Sequence, residues 1–453
     1  MIEGRAYKPV IRSEGCHSCD ICIRGCPAEI FSEYRKEDKT LRGALYREKI
    51  QGKISSDKVP LPPCQEACPI HQDTKGYVAL IAEGKFKEAL ELIREVNPLP
   101  AVCGFICHHP CEEACLRGVE HHPVPVRLLK RFVAEHQRLQ TNIGNRSSKK
   151  KRGKILVIGS GPAGLTAAND LSLLGYKVTI FESLPVLGGM LAVGIPEFRL
   201  PKEILKIEID RIKALGVEMK THHPFFLNGE KRTFQKLGFQ AVFLSIGAHK
   251  SLNLNIEGKN LEGILSGLEF LKRVHTGEKI FLGERVMVIG GGNVAVDVSR
   301  TAWRLGASKV EMFCLESRKE MPAVHEEVGE AKQEGIKLHV LAVPIRFIGK
   351  GGKAIGVEFK RLGLTKKSTF KVYSDTIITA IGQKVDRDFL SGLEVNLDGT
   401  VRTDQRTCGT SMRGVFAGGD VVTGPGWAID AIAAGKRGAE CIHQYLSEKK
   451  GLV

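Results

Sequence analysis

Cysteine is the residue type whose spacing most clearly suggests chemistry in this 453-residue sequence, because ten of its 13 cysteines lie between positions 16 and 115. The first four are separated by two, two and three residues and are followed by Pro27, the spacing that holds a 4Fe–4S cluster in ferredoxins. Zinc is the competing ligand, but zinc sites usually place a longer spacer between C-x-x-C pairs. The segment therefore predicts an iron–sulfur cluster with the ligands Cys16, Cys19, Cys22 and Cys26.

A second group of cysteines follows, and its last four members recur at intervals of four residues. This spacing would place thiols on one face of a helix, although Pro110 is expected to start a new helix. Ten thiolates cannot supply three all-cysteine clusters, so we predict two clusters, with three clusters that use other ligands as the alternative. The predicted ligands of this group are Cys64, Cys68, Cys103, Cys107, Cys111 and Cys115.

Two glycine-rich segments have the pattern of dinucleotide-binding turns. The first follows the apolar run Ile155 to Ile158 and reads G-x-G-x-x-G, and the next strand ends at Glu182, whose carboxylate can accept hydrogen bonds from a ribose diol. Glycines allow close approach of the backbone to a pyrophosphate, and the helix N-terminus offers unpaired N–H groups. The residues predicted to line this site are Gly159, Gly161, Pro162, Ala163 and Gly164.

The second turn follows the run Arg285 to Ile289, and the next strand is predicted to extend from Lys309 to Leu315 and to end at Glu316. A carboxylate there accepts a hydrogen bond from a free 2′-hydroxyl and repels a 2′-phosphate, which favours NAD(H) over NADP(H). Arg318 leaves NADP(H) open as the alternative nucleotide, since a guanidinium can contact a 2′-phosphate. The turn itself consists of Gly290, Gly291, Gly292, Asn293, Val294 and Ala295.

Two such sites in one chain fit a fixed cofactor and a diffusing nicotinamide nucleotide. Hydride transfer between stacked rings needs proximity and orientation but no dedicated acid or base, so we predict no catalytic side chain.

The elements around these motifs indicate an α/β protein. Helical periodicity is strongest from Tyr77 to Val96, where Gly84 could divide the helix, and from Lys154 onward Val- and Ile-rich strands alternate with helices. We predict a helical iron–sulfur domain at residues 1–150, followed by two Rossmann-like domains of which the second is inserted into the first. The first would comprise residues 151–283 and 384–453, and the second residues 284–383.

Further motifs at Leu187 to Leu191, Gly194 to Pro196 and Gly414 to Asp420 give the sequence its resemblance to a known family. From about residue 60 to the C-terminus it resembles the glutamate synthase small-subunit family. The resemblance implies FAD in the first site, with Glu182 on the adenosine ribose. It also implies that Asp420, Ala428 and Ile429 line the flavin and that Gly419 lies beside its ribityl and pyrophosphate groups. Gly189 and Met190 are further predicted cofactor-binding residues.

The same resemblance implies two 4Fe–4S clusters. One would be shared by Cys64, Cys115 and two of the four N-terminal cysteines, because this chain has Lys58 to Pro63 where the family usually has a C-x-x-C. The other would be held by Cys68, Cys107 and Cys111. Its fourth ligand need not be cysteine. Lys130 lies near the matching position without being an obvious ligand, and Cys103 is a further candidate. NADP-using members generally have paired arginines where Leu315 and Glu316 stand.

The net charge of +16 suits an acidic partner, but the run Lys149 to Arg152 is interpreted as a domain linker. No apolar run is long enough for a membrane span or a signal peptide, so a cytoplasmic protein is expected.

We expect an NAD(H)-dependent FAD and iron–sulfur oxidoreductase subunit that exchanges electrons with another redox subunit or a ferredoxin. The alternatives are an NADPH-dependent electron donor of the glutamate synthase type and a zinc-stabilised, basic nucleic-acid-binding protein; neither a membrane nor a nucleic acid is an expected partner.

Overall fold

The computed structural model describes residues 61–120, 122–136, 152–226, 233–363 and 368–448, and it divides the chain into two compact units on either side of Asn142. The predicted cluster ligands Cys16, Cys19, Cys22 and Cys26 lie outside the described residues. None of the helices in the described ranges combines the length and the hydropathy that crossing a bilayer requires.

The first unit contains helices joined by short turns, with no strand among its described residues. The predicted helical stretch from Tyr77 to Val96 is two helices, because Gly84 adopts a left-handed φ of +73° between them. Asp73 caps the first of the two by accepting a hydrogen bond from the Gly76 N–H at 2.9 Å. The helices are α1 (Pro63–Glu66), α2 (Thr74–Ala82), α3 (Phe86–Arg94), α4 (Pro100–Ile106), α5 (Pro110–Glu113), α6 (Arg117–Glu120) and α7 (Val126–His136).

The second unit alternates strands and helices. Its strands are β1 (Lys154–Ile158), β2 (Lys177–Phe181), β3 (Glu218–Lys220), β4 (Ala241–Leu244), β5 (Lys250–Ser251), β6 (Ile264–Ser266), β7 (Arg285–Ile289), β8 (Lys309–Phe313), β9 (Lys337–His339), β10 (Ala342–Lys350), β11 (Lys353–Arg361), β12 (Thr369–Tyr373), β13 (Thr376–Thr379), β14 (Gln383–Lys384) and β15 (Val415–Ala417). Its helices are α8 (Pro162–Leu173), α9 (Met190–Val193), α10 (Lys202–Lys213), α11 (Thr233–Lys236), α12 (Gly267–His275), α13 (Asn293–Arg304), α14 (His325–Gln333), α15 (Asp420–Thr423) and α16 (Ala428–Glu448).

The first sheet is parallel, with the strand order β15-β4-β1-β2-β3. β1 lies at its centre and is buried on both faces from Ile155 to Ile158, which explains its unbroken apolar sequence. β15 comes from near the C-terminus and pairs with β4. The sheet is therefore completed only after the chain has passed through a second domain.

The second sheet is also parallel, with the order β6-β13-β7-β8-β9. All of its strands lie between β4 and β15 in the sequence, which confirms the predicted insertion. The sequence suggested that the second domain starts at residue 284. The sheet includes β6 and therefore begins upstream of that residue. β8 ends at Phe313 instead of Leu315, because its neighbour β9 ends opposite Phe313 at His339.

Two smaller sheets were not predicted. β5 and β14 pair antiparallel, and they lie on the two segments that connect the nucleotide-binding domains. β10, β11 and β12 form an antiparallel sheet whose Phe359 stacks on Phe313 of the second parallel sheet, with ring centroids 4.5 Å apart.

Candidate functional site

The first glycine-rich turn joins β1 to α8 and has the close packing that its glycines allow. Gly159 has a φ of +96°, and a Cβ there would lie 2.5 Å from the Ser245 carbonyl oxygen. A Cβ at Gly164 would lie 2.0 Å from the Gly159 carbonyl oxygen, so neither position accepts a side chain. At Gly161 a Cβ would meet nothing within 4 Å. The backbone at Gly161 and the start of α8 therefore face open space, which fits a bound pyrophosphate.

Glu182 follows β2 and is held against this turn. Its Oε2 accepts hydrogen bonds from the N–H of Ser160 at 2.9 Å and from the hydroxyl of Ser160 at 2.6 Å. Its Oε1 accepts from the Leu184 N–H at 2.9 Å and from the Ser183 hydroxyl at 3.3 Å. The Ser183 contact is the longest of the four and is the one that a ribose hydroxyl would most easily replace. Ser160 is thus a positioning residue, and no sequence motif singles it out.

A cavity of about 360 Å³ opens beside the turn, within the size range of ligand pockets. Gly164 and Ile429 do not line it: Gly164 packs against the turn, and Ile429 is buried in α16. The other residues predicted for the first site line this cavity: Gly159, Gly161, Pro162, Ala163, Glu182, Gly189, Met190, Gly419, Asp420 and Ala428.

Three ionisable groups on the cavity wall differ in their surroundings. Burial raises the pKa of Asp420 to about 6, although the Gly426 N–H opposes the shift. Burial lowers the pKa of His249, which keeps its imidazole neutral near pH 7. Lys272, on α12 of the inserted domain, adds an ammonium group. His249 and Lys272 belong to no sequence motif, because only the folded chain brings them to the cavity.

The second glycine-rich turn joins β7 to α13. Gly290 has a φ of +150°, and a Cβ there would lie 2.2 Å from the Ala380 carbonyl oxygen. The Asn293 side chain accepts a hydrogen bond from the Val324 N–H at 2.9 Å, so this predicted nucleotide ligand also holds the segment that precedes α14. Val294 lies at the start of α13, where the helix N–H groups are available to a phosphate.

Glu316 points toward this turn, as the sequence predicts. A Cβ at Gly291 would lie 2.6 Å from Glu316 Oε2, and that oxygen is buried without a hydrogen-bond partner among the described residues. A buried acceptor without a donor is costly, so the site is suited to a ligand that donates a hydrogen bond. Arg318 is exposed, and within the described ranges it makes no ion pair.

The first unit brings the cysteines of the second group into two sets. Cys64 and Cys115 line one small cavity of about 60 Å³, and burial, followed by the charge of Cys115, raises the pKa of Cys64. The resemblance assigns these two thiols to one cluster, and that assignment stays a prediction.

The other set consists of Cys68, Cys107 and Cys111, and burial raises the pKa of Cys111 to about 12. The positive charge of Lys130, a buried residue, opposes this shift at both Cys107 and Cys111. Cys103 is directed elsewhere: its thiol contacts Asn97 Oδ1 at 3.9 Å.

As the sequence predicts, Pro110 starts a new helix, α5. Because α4 ends at Ile106, Cys107 lies between the two helices, and the four thiols do not share one helical face. Within the described ranges, no three histidine, cysteine or acidic side chains form a site for a single metal ion. Two buried thiols and the partly buried thiol of Cys107, with a lysine nearby, are nevertheless a suitable donor group for an iron–sulfur cluster, which thiolates bind.

Comparison with known proteins agrees with these two units. The sequence profile of the pyridine nucleotide-disulphide oxidoreductases matches residues 153–435, well over half of the chain. The chain belongs to this family. A second profile, described as dihydropyrimidine dehydrogenase domain II with a 4Fe–4S cluster, matches residues 58–142. This pyridine nucleotide-disulphide oxidoreductase therefore carries an iron–sulfur domain ahead of its nucleotide-binding domains.

Curated relatives confirm the resemblance to the glutamate synthase small subunit. The chain is 31% identical to the glutamate synthase (NADPH) small chain of Azospirillum brasilense over 424 residues, covering 86% of this chain and 87% of the relative. It is 34% identical to the NAD-dependent dihydropyrimidine dehydrogenase subunit PreT of Escherichia coli, covering 85% of this chain and 91% of that relative.

It is also 39% identical to the NADP(+)-dependent formate dehydrogenase subunit beta of Moorella thermoacetica, covering 85% of this chain but only 60% of that relative. Among solved structures, the thioredoxin reductase of Lactococcus lactis matches 65% of this chain and 99% of its own, with a TM-score of 0.53 and 23% identity. This likeness shows the fold of the nucleotide-binding domains.

Proposed function

We propose that this oxidoreductase subunit prefers NAD(H) and passes electrons between the nicotinamide nucleotide and another redox subunit or a ferredoxin. The observation that carries the preference is the buried, unpartnered Oε2 of Glu316 beside Gly291. A ribose 2′-hydroxyl would donate a hydrogen bond to this oxygen, whereas a 2′-phosphate would bring a like charge to it.

NADP(H) is the second candidate, and Arg318 is the observation that favours it. Its guanidinium is exposed two residues beyond Glu316 and is available to a 2′-phosphate. The names of the relatives divide between the two nucleotides, since one is NADP(+)-dependent and another is NAD-dependent.

The first site would hold FAD. Glu182 would contact the ribose, Gly161 and the start of α8 the pyrophosphate, and Asp420 and Ala428 the rest of the cofactor along the cavity wall. FAD, when bound, would supply the exchange of a two-electron hydride for single electrons.

The first unit would hold two 4Fe–4S clusters. Cys64 and Cys115 would share one with two cysteines of the N-terminal motif, and the set Cys68, Cys107 and Cys111 would hold the other. Cys103 would have to leave Asn97 to become the fourth ligand of this second cluster.

Anaerobic stopped-flow reduction of the protein-bound flavin tests the nucleotide preference without needing the partner. We expect faster reduction and tighter binding with NADH, by roughly 1 to 3 kcal/mol or about fivefold to 150-fold, because a phosphate would leave the carboxylate opposed by like charge. Glu316→Arg should narrow or reverse the preference, and Arg318→Ala serves as the matched control that removes the competing cation. Faster and tighter reduction of the unmodified protein by NADPH would refute the assignment of Glu316.

A further inference from the structure

Two cysteines outside the cluster domain lie close enough to react with each other. The thiol of Cys441, on α16, donates a hydrogen bond to the sulfur of Cys408 at 3.2 Å, and its other contact is the Arg406 carbonyl oxygen at 3.4 Å. Both are free thiols, 33 residues apart in the sequence. Neither belongs to the nucleotide turns or to the two cysteine sets of the first unit.

The backbone fixes Cys408 in this position. Its φ is +53°, which is uncommon for a residue other than glycine, and the conformation is maintained by hydrogen bonds on both sides. The Cys408 N–H donates to the Asp404 carbonyl oxygen at 2.9 Å, and its carbonyl oxygen accepts from the Ala417 N–H at 3.1 Å. Cys441 is buried within a helix of 21 residues. An approach of about 1 Å would bring the two sulfurs to bonding distance.

We propose that Cys408 and Cys441 form a reversible disulfide by exchange with a small-molecule disulfide. Cys408, the more exposed thiol, loses its proton and attacks; the S–S bond of the small disulfide breaks, a mixed disulfide forms on Cys408, and one small thiolate leaves. Cys441 then loses its proton and attacks the Cys408 sulfur, and the second small thiolate leaves. Two protein thiols are oxidised, and the small disulfide is reduced to two thiols, which take up the two protons.

The surroundings of the two sulfurs set the order of these steps. Burial, followed by the contact with Cys408, raises the pKa of the Cys441 thiol to about 12. Cys441 therefore stays protonated while Cys408 is a free thiol. When Cys408 becomes a mixed disulfide, the part of this pKa shift that comes from the Cys408 thiol is removed, while the part from burial remains. Cys441, whose sulfur lies 3.2 Å from that of Cys408, then resolves the mixed disulfide.

The bond would join the turn before β15 to α16. β15 leads into Gly419 and Asp420, and α16 begins at Ala428, so both joined elements continue into the cavity wall. Because the bond would also close a loop of the chain, the oxidised protein should unfold several degrees above the reduced protein.

Peptide mapping tests the proposal on the full chain with its cofactors bound. The protein is incubated anaerobically with oxidised glutathione, alkylated under denaturing conditions, and digested with trypsin without reductant. Cys408 and Cys441 fall in separate tryptic peptides, 407–413 and 438–449, with one cysteine each. We expect most of these two peptides to appear as one joined species that dithiothreitol separates. Peptide 310–318, whose Cys314 donates to the Glu316 carbonyl oxygen, should remain alkylated as an internal control.

Single variants test the order of the steps. Cys441→Ser should trap glutathione on peptide 407–413, whereas Cys408→Ser should leave peptide 438–449 alkylated. Cys314→Ser is the matched control and should retain the joined species. The proposal is overturned if the unmodified protein yields both peptides alkylated, or joined to other cysteine peptides.

Discussion

Arg199 connects the two nucleotide-binding domains through buried charges, and its replacement should destabilise the second unit. It follows α9 of the first domain, and its Nη1 donates to both carboxylate oxygens of Asp297, on α13, at 2.7 and 3.0 Å. Its Nη2 donates to Glu327, on α14. The side chains are only 14%, 6% and 14% exposed, so water screens these ion pairs poorly.

The size of the expected loss in the free energy of unfolding follows from this burial. Burial raises the pKa of Asp297 to about 6 and that of Glu327 to about 7, and in each case Arg199 is the largest opposing influence. Arg199→Met would leave two buried carboxyl groups near each other without their shared cation. Removal of one partner from a buried ion pair costs about 3–5 kcal/mol. We expect a loss of that order in the free energy of unfolding at pH 8.

The loss should depend on pH. A carboxyl group whose folded pKa is raised contributes stability that is fully present below its unfolded pKa and is lost as the pH rises through the folded value. For Asp297 and Glu327 this window extends from the ordinary values of 3.8 and 4.5 up to about 6 and 7. Without Arg199 the folded pKa values rise further, so the variant should lose more stability than the unmodified protein above about pH 6. At pH 5.5 both carboxyl groups are largely protonated, so the difference in stability between Arg199→Met and the unmodified protein should be much smaller.

Urea unfolding followed by tryptophan fluorescence, at pH 5.5 and pH 8, measures both effects. Arg199→Lys keeps the positive charge and should lose less stability than Arg199→Met. Arg273→Met removes an exposed ion pair with Glu278 and should change little at either pH. An equal loss of stability for Arg199→Met at both pH values, or a loss below about 1 kcal/mol at pH 8, would show that Arg199 does not offset the charge of these buried carboxylates.

Three further predictions concern the cofactors. Anaerobically prepared protein should contain about one FAD and on the order of eight irons, since two four-iron clusters are expected; fewer than about four irons after reconstitution would contradict this. Glu182→Ala should weaken FAD retention while the iron content is unchanged, because it removes the ribose acceptor, and equal flavin occupancy in the variant would show that the site is misassigned. Lys130→Met should lower the reduction potential of the cluster proposed at Cys68, Cys107 and Cys111 by on the order of tens of millivolts, because a buried positive charge favours the more negative, reduced state. An EPR-monitored redox titration measures this shift, with Lys130→Arg as the charge-preserving control, and an unchanged potential in Lys130→Met would contradict it.

Local patterns made much of the fold predictable from the sequence. The turn at Gly159, the break between α2 and α3 at Gly84 and the insertion of one domain into the other each depend on residues adjacent in the chain or on the order of elements. Glu316 lies three residues beyond the end of β8 and not directly after the strand, but its nearness to β8 in the chain still brings it beside the second glycine-rich turn.

Contacts between distant residues were not predictable. Arg199 and Asp297 are 98 residues apart, and Cys408 and Cys441 are 33 residues apart, so no spacing rule relates them. β6 joins the second sheet although it precedes the second glycine-rich turn, because pairing with β13 depends on the folded chain. The antiparallel sheet of β10–β12 depends on packing against Phe313, which its sequence alone does not reveal.

We propose that electrons pass between a nicotinamide nucleotide, the first site and the clusters of the first unit. An anaerobic titration of the purified chain with NADH, followed by visible absorbance and by EPR at low temperature, tests it most directly. We predict bleaching of the flavin bands together with EPR signals from reduced 4Fe–4S clusters, at lower concentrations of NADH than of NADPH. Flavin bleaching without any cluster signal, or no bleaching with either nucleotide, would contradict the account.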